Sequence, residues 1–154
     1  HPYATIYQYF ANKAAIYEAW LERFINHSLY GLSSVILAQD TDDSDVYIEE
    51  SVRHALTETA KQQPVLTQLF ANMPMTPTRL VELMETRTLA WLSEAFGLHM
   101  DHKGSNDLDR KILTAVRAGN GYWLQLTLNA EKSIDIDEEV VQFATLIKAV
   151  MKNL

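Results

Sequence analysis

The chain has five histidines and 20 acidic residues that could coordinate a metal ion, but their spacing fits no common metal site. His99, Asp101 and His102 lie close together, but they fall in a polar stretch that we predict to be a loop. Glu50 and His54 are four residues apart, whereas helical di-iron bundles use a Glu and a His three apart. The chain has no cysteine, so thiolate ligands, disulfides and cysteine nucleophiles are excluded. The sequence therefore predicts no metal site and no cofactor.

Motifs that carry catalysis are also missing from the sequence. It contains no His-Glu-x-x-His pattern, no phosphate-binding glycine loop and no nucleophile elbow. The acidic run at positions 40–45 has the composition of a solvated loop. We therefore predict that the chain is not an enzyme.

Composition indicates a folded protein with a sizeable core. Of 154 residues, 47% are hydrophobic and 21% are charged, which is ordinary for a globular protein and unlike a disordered one. No apolar run approaches the roughly 18 residues of a membrane span, and we expect a cytoplasmic protein. The formal net charge of −7 is unlike that of a self-sufficient DNA-binding domain, which usually carries a basic patch.

Helical periodicity dominates the chain and predicts an all-α fold. Asn12, Thr76 and Asp135 are expected N-caps, and Gly97 is an expected C-cap. Pro64 is expected to end a helix, because proline lacks the N–H and clashes with the preceding turn. The predicted helices cover residues 12–37, 46–62, 65–72, 77–96, 107–129 and 136–152.

The clearest functional motif lies at the start of the chain. Residues 4–10 read Ala-Thr-Ile-Tyr-Gln-Tyr-Phe, and a turn then leads to Asn12-Lys13, where a long amphipathic helix begins. This order resembles the end of the helix-turn-helix in the tetracycline-repressor (TetR) family. The structure implied is an all-α regulator whose last two helices form a four-helix bundle with those of a twofold partner.

The resemblance assigns DNA-binding roles to six residues. Thr5, Tyr7 and Lys13 would contact the phosphate backbone, which positions the protein without reading sequence. Tyr3, Ala4 and Gln8 would face the bases or the rim of the interface. In the family the first two helices of this domain precede these residues. We therefore interpret residues 1–38 as a remnant of the DNA-binding domain and residues 39–154 as the ligand-binding and dimerisation domain.

Charge supports that division of the chain. Residues 1–38 hold two basic side chains, Lys13 and Arg23, against Glu18 and Glu22. We therefore expect operator DNA to bind only when the missing N-terminal helices are restored.

Aromatic and methionine side chains in the middle of the chain suit an adaptable apolar pocket for a small-molecule effector. The predicted pocket residues are His54, Phe70, Met73, Met84, Trp91, Tyr122 and Trp123. Apolar stripes on the last two helices suit a homodimer interface. The predicted interface residues are Ile112, Val116, Gly119, Trp123, Leu126, Val140, Ala144, Ile147 and Met151. An ordinary core would show the same patterns.

The sequence thus favours a ligand-responsive, DNA-binding transcriptional regulator, a homodimeric repressor released from its operator by a small molecule. The alternative is a helical interaction module, or a bundle enzyme, that does not bind DNA. In that case Tyr7, Tyr9 and Phe10 are an aromatic anchor that packs a short helix onto a long one.

Overall fold

Five α-helices make up the fold in the computed structural model, which describes residues 12–40, 42–97, 103–129 and 133–153. None of these residues lies in a strand, and the prediction of an all-α fold is confirmed. The helices are α1 (Lys13–Leu37), α2 (Ser44–Asn72), α3 (Pro77–Phe96), α4 (Asp107–Leu128) and α5 (Ile136–Asn153). Within the described ranges, no helix is both long enough and apolar enough to cross a bilayer.

Side-chain caps set where the helices begin, as the sequence predicts. The Asn12 and Thr76 side chains accept hydrogen bonds from backbone N–H groups three residues later, at 2.9 and 3.2 Å. Asp135 does the same at the start of α5, at 3.2 Å. These bonds satisfy N–H groups that have no partner within the helix. Gly97 ends α3 with a φ of 64°, a left-handed conformation that favours glycine.

The predicted helix break at Pro64 is wrong. Residues 46–62 and 65–72, predicted as two helices, belong to the single helix α2, with Pro64 inside it. The Pro64 ring is exposed, whereas Leu56 and Leu66 on either side are fully buried. Burial of the flanking turns outweighs the cost of roughly 3 kcal/mol that proline imposes on a helix interior.

The first four helices form a closed ring. Helix α1 packs against α2 and α3, and α4 packs against the same two helices from the other side. Helix α5 lies outside this ring, against α2 and α4. Buried side chains concentrate where helices meet, as with Leu21 and Met84 between α1 and α3. Another such cluster joins Leu56 to Phe143 and Ala144 of α5. This arrangement leaves an open space at the centre of the ring.

Two ion pairs link α1 to α3. Glu18 pairs with Arg79, and Glu22, one turn further along α1, pairs with Arg87, about two turns further along α3. All four side chains keep about a third to a half of their area exposed, so each pair adds little stability. Because both pairs join α1 to α3, they instead help to set how the two helices align.

Candidate ligand cavity

The centre of the ring is a cavity of about 970 Å³, a size typical of sites that hold small molecules. Helices α1 to α4 form its walls, and α5 closes one side. The apolar side chains lining it include Phe24, Ile25, Leu29, Leu32, Ile36, Ile48, Val52, Met84, Trp91, Leu92, Ile112, Val116, Trp123, Phe143 and Ile147.

One end of the cavity opens at the surface. The C-terminal ends of α1, α3 and α5 meet the N-terminal ends of α2 and α4 there. Large apolar residues line the cavity at this mouth and are also exposed to solvent. The exposed fraction is 84% for Leu37, 58% for Leu108 and 44% for Phe96. Exposed apolar side chains around a cavity mouth are typical of a site through which an apolar ligand enters.

Aromatic rings close the opposite end. Phe24 of α1 and Trp123 of α4 face each other with ring centroids 6.3 Å apart. Phe70 of α2 meets the Trp123 ring edge-on at 6.2 Å. These aromatic rings therefore form a floor at this end of the cavity.

Hydrogen bonds hold the two tryptophans of the wall in place. The Trp123 indole N–H donates to Thr59 Oγ1, and the Trp91 indole N–H donates to Ser33 Oγ, both at 2.7 Å. The Thr59 hydroxyl donates in turn to the Ala55 carbonyl oxygen at 2.7 Å. Both indole N–H groups are thus occupied within the protein, and the rings present apolar faces to the cavity.

None of the described residues that line the cavity is an Asp, Glu, Lys, Arg or His. The polar ones among them are neutral: Ser28, Gln39, Ser44, Tyr47, Ser51, Thr59, Thr88 and Asn120. The described walls therefore offer hydrogen bonds but no full charge.

Three of the seven predicted pocket residues line this cavity, namely Met84, Trp91 and Trp123. Phe70 and Met73 lie instead in the apolar cluster between α1 and α3, below the floor. The structure thus places these two residues in the cluster next to the aromatic floor and not in the described lining of the cavity.

Tyr122 and His54 also lie outside the cavity lining. Tyr122 points towards α5, where its ring stacks on Phe143 at 4.6 Å and its hydroxyl donates to Glu139. Burial, together with the Glu139 carboxylate, raises the pKa of Tyr122 to about 12. His54 lies against Gly31 of α1, and its buried Nε2 has no hydrogen-bond partner among the described residues.

Helix α1 supplies cavity residues that the sequence analysis missed. Leu29, Leu32 and Ile36 line the cavity, although this helix was assigned to the DNA-binding remnant. Their spacing of three and four residues is the signal that places them on one helix face. They show that α1 is a wall of the cavity.

The predicted dimer residues face the interior of the chain. Val140 and Ala144 are buried between α5 and α2, and Leu126 packs against the same cluster. Ile112 and Val116 are buried between α3 and α4. Ile112, Val116, Gly119, Trp123, Ile147 and Met151 all line the cavity. These apolar stripes face neighbouring helices and the cavity of the same chain, apart from Met151, which is 38% exposed at the mouth.

Most of the predicted DNA contacts, namely Tyr3, Ala4, Thr5, Tyr7 and Gln8, lie outside the described residues. Lys13 is described: it is exposed at the first position of α1, with Nζ 5.9 Å from the centre of the Tyr17 ring. His99, Asp101 and His102 also lie outside the described residues. Over the ranges that are described, no group of three His, Asp or Glu side chains is arranged to hold a metal ion.

Comparison with known proteins adds no relative. No protein-family model matches the chain, and no curated protein or solved structure is significantly similar to it.

Proposed function

We propose that this chain is the regulatory part of a ligand-responsive transcriptional repressor that resembles the TetR family. The observation that carries the proposal is the apolar cavity, because one of its walls is α1. In the resemblance, α1 is the helix that directly follows the recognition helix. A molecule in the cavity would therefore touch the helix that positions the DNA-binding module.

The coupling would work as a population shift. Phe24, Leu29 and Ile36 spread the ligand contact along α1, while the ion pairs to Arg79 and Arg87 align α1 with α3. A ligand that prefers one spacing of these two helices shifts the equilibrium towards it. A shift from 1:99 to 99:1 requires a preference of roughly 10⁴-fold. The favoured spacing would be one in which two DNA modules no longer fit successive major grooves.

We also propose a homodimer that uses the outward faces of α4 and α5. The inward faces are already covered within the chain, so a partner would meet the opposite side of these helices. Val141 of α5 and Leu128 of α4 are 65% and 55% exposed on the surface of the chain. Apolar side chains of this exposure suit a surface that a second copy buries.

The test is fluorescence anisotropy on promoter DNA, using a protein that includes the two helices that the resemblance places before residue 1. We expect tight, salt-dependent binding from that protein and negligible binding from residues 1–154, which carry a net charge of −7. Lys13→Ala should weaken binding and reduce the salt slope by about 1. The control Lys152→Ala, at the far end of α5, should change neither.

Two outcomes would reject the proposal. Absence of binding by the extended protein at low salt would remove DNA as the partner. Binding that no cavity ligand alters would separate the cavity from regulation, and would favour a helical module that only carries an apolar molecule.

A further inference from the structure

The cavity also indicates which chemical class of molecule fills it. We infer that the ligand is a long, mainly hydrocarbon molecule with one uncharged polar head, taken up tail first through the mouth between α1, α3 and α4. This inference rests on the proposed function, since it names the effector class for the same cavity.

The length of the cavity selects an elongated ligand. Phe24 at the floor and Leu37 at the mouth are 13 positions apart on α1. At 1.5 Å per residue, this separation corresponds to about 20 Å. A compact ring system could contact only part of a cavity of this length, whereas an extended chain could contact its apolar walls from the floor to the mouth.

The walls disfavour charge on the part of the ligand that lies inside. No described lining residue carries a charged side chain that could pair with an ion. An ionised group taken into the channel would lose its hydration without compensation. The indole N–H groups of Trp91 and Trp123 already donate to Ser33 and Thr59. The interior therefore suits hydrocarbon.

The mouth provides neutral hydrogen-bonding groups for a head. Gln39 and Ser44 line the cavity where α1 ends and α2 begins. Gln39 Nε2 donates to the Val35 carbonyl at 3.1 Å, which orients the amide at the rim. A hydroxyl, ester or amide head would meet hydrogen-bonding groups of its own kind here.

Charges beyond the mouth act against an anionic head. The segment between α1 and α2 carries the exposed side chains of Asp40, Asp42 and Asp43. Asp45 follows, paired with Lys152 at 3.7 Å, and on the opposite side Arg110 pairs with Asp107 at 3.5 Å. The acidic segment would repel a carboxylate or phosphate head. For a cation, exposed carboxylates offer only weak, salt-screened attraction.

The experiment measures direct binding to residues 1–154, without DNA. The probes are dodecan-1-ol, kept below its solubility limit, and dodecanoate and dodecyltrimethylammonium, each kept below its micelle concentration. Quenching or shift of tryptophan fluorescence reports occupancy, because Trp91 and Trp123 line the cavity. We expect saturable binding of one dodecan-1-ol per chain, with the two ions at least tenfold weaker. Octan-1-ol should bind far more weakly, by about fourfold per methylene removed.

Two variants locate the site. Ala115 lines the cavity on α4, and Ala115→Phe should weaken dodecan-1-ol binding at least tenfold by filling the channel. Ala95 is exposed on α3, and the matched control Ala95→Phe should bind within twofold of the parent. If Ala115→Phe does not fold, Ala55→Leu fills the neighbouring wall, on α2, with less added bulk.

Either ion binding as tightly as dodecan-1-ol would overturn the inference of an uncharged head. Equal binding by Ala115→Phe and Ala95→Phe would place the ligand outside the cavity. Failure of operator binding would leave these measurements unchanged, so the ligand class and the regulatory function can fail separately.

Discussion

At the scale of single residues, Tyr122 ties α4 to α5 through its stack on Phe143 and its hydrogen bond to Glu139. Its pKa of about 12 exceeds the unfolded value of about 10. The folded state is therefore more stable when the Tyr122 phenol is protonated than when it is ionised. This contribution is fully present below pH 10 and is lost as the pH rises towards 12.

Replacing Tyr122 should therefore change how stability depends on pH. We expect Tyr122→Phe to lose about 1 kcal/mol at pH 8 by removing the hydrogen bond, and to lose less additional stability than the parent between pH 10 and 12. Urea unfolding across this range measures both effects. Tyr30→Phe, at an exposed hydroxyl that donates to Glu94 at 3.3 Å, should retain the parent's pH dependence. If Tyr122→Phe lost stability between pH 10 and 12 as steeply as the parent, Tyr122 would not be the group responsible for that loss.

Gly31 is a second residue at which the structure predicts how a substitution changes stability. A Cβ added at Gly31 would lie 2.8 Å from Nε2 of His54, closer than side chains normally approach. We expect Gly31→Ala to destabilise the fold by about 1 kcal/mol, because overpacking outweighs the gain in helix propensity. In His54→Ala the same change should be neutral or stabilising, and a double-mutant cycle by urea unfolding measures the coupling.

A glycine without such a neighbour is the control for Gly31. At Gly121 an added Cβ meets nothing within 4 Å, so Gly121→Ala should stabilise α4 by about 1 kcal/mol. Additive effects of Gly31→Ala and His54→Ala would show that the two residues do not compete for space.

At the scale of helices, Pro64 lies inside α2 although proline disfavours a helix interior, and its substitution measures that cost. Pro64→Ala should stabilise the chain by about 2 kcal/mol, since it restores an N–H within α2 and the exposed ring forfeits little packing. Chemical unfolding checks the value. Pro77→Ala is the control, because proline at the first position of α3 breaks no intrahelical hydrogen bond. A destabilised Pro64→Ala would mean that α2 depends on the proline.

The helices also show what could be predicted from the sequence. Caps at Asn12, Thr76 and Asp135 depend on residues within one turn, so local patterns located them. The continuity of α2 through Pro64 depends on burial of Leu56 and Leu66 by other helices, which no local pattern contains.

The candidate site was predictable only in part for a related reason. An apolar stripe on α4 or α5 indicates that something covers it, but not whether the cover is the same chain or a second copy. Met84, Trp91 and Trp123 were identified from residue type alone. Leu29, Leu32 and Ile36 were missed because the resemblance assigned α1 to another domain.

At the scale of the whole molecule, the outward faces of α4 and α5 determine the proposed assembly. Val141→Lys should shift the chain from dimer to monomer by placing a charge in the proposed interface, as measured by analytical ultracentrifugation. Tyr30→Lys is the control on α1, whose backbone packs against neither α4 nor α5; Tyr30 is 60% exposed, and the change should leave the mass unchanged. A parent chain that sediments as a monomer at all concentrations would exclude this interface for the isolated chain.

The cavity also makes the molecule sensitive to hydrostatic pressure. Unfolding eliminates internal void, so the chain and its solvent together occupy less volume when it unfolds. With an apolar cavity between its helices, the chain should show an unfolding volume change towards the larger end of the usual range of roughly −20 to −100 mL/mol. Tryptophan fluorescence under pressure should give a low midpoint that dodecan-1-ol raises. Pressure would then favour unfolding, and a ligand in the same cavity would oppose it.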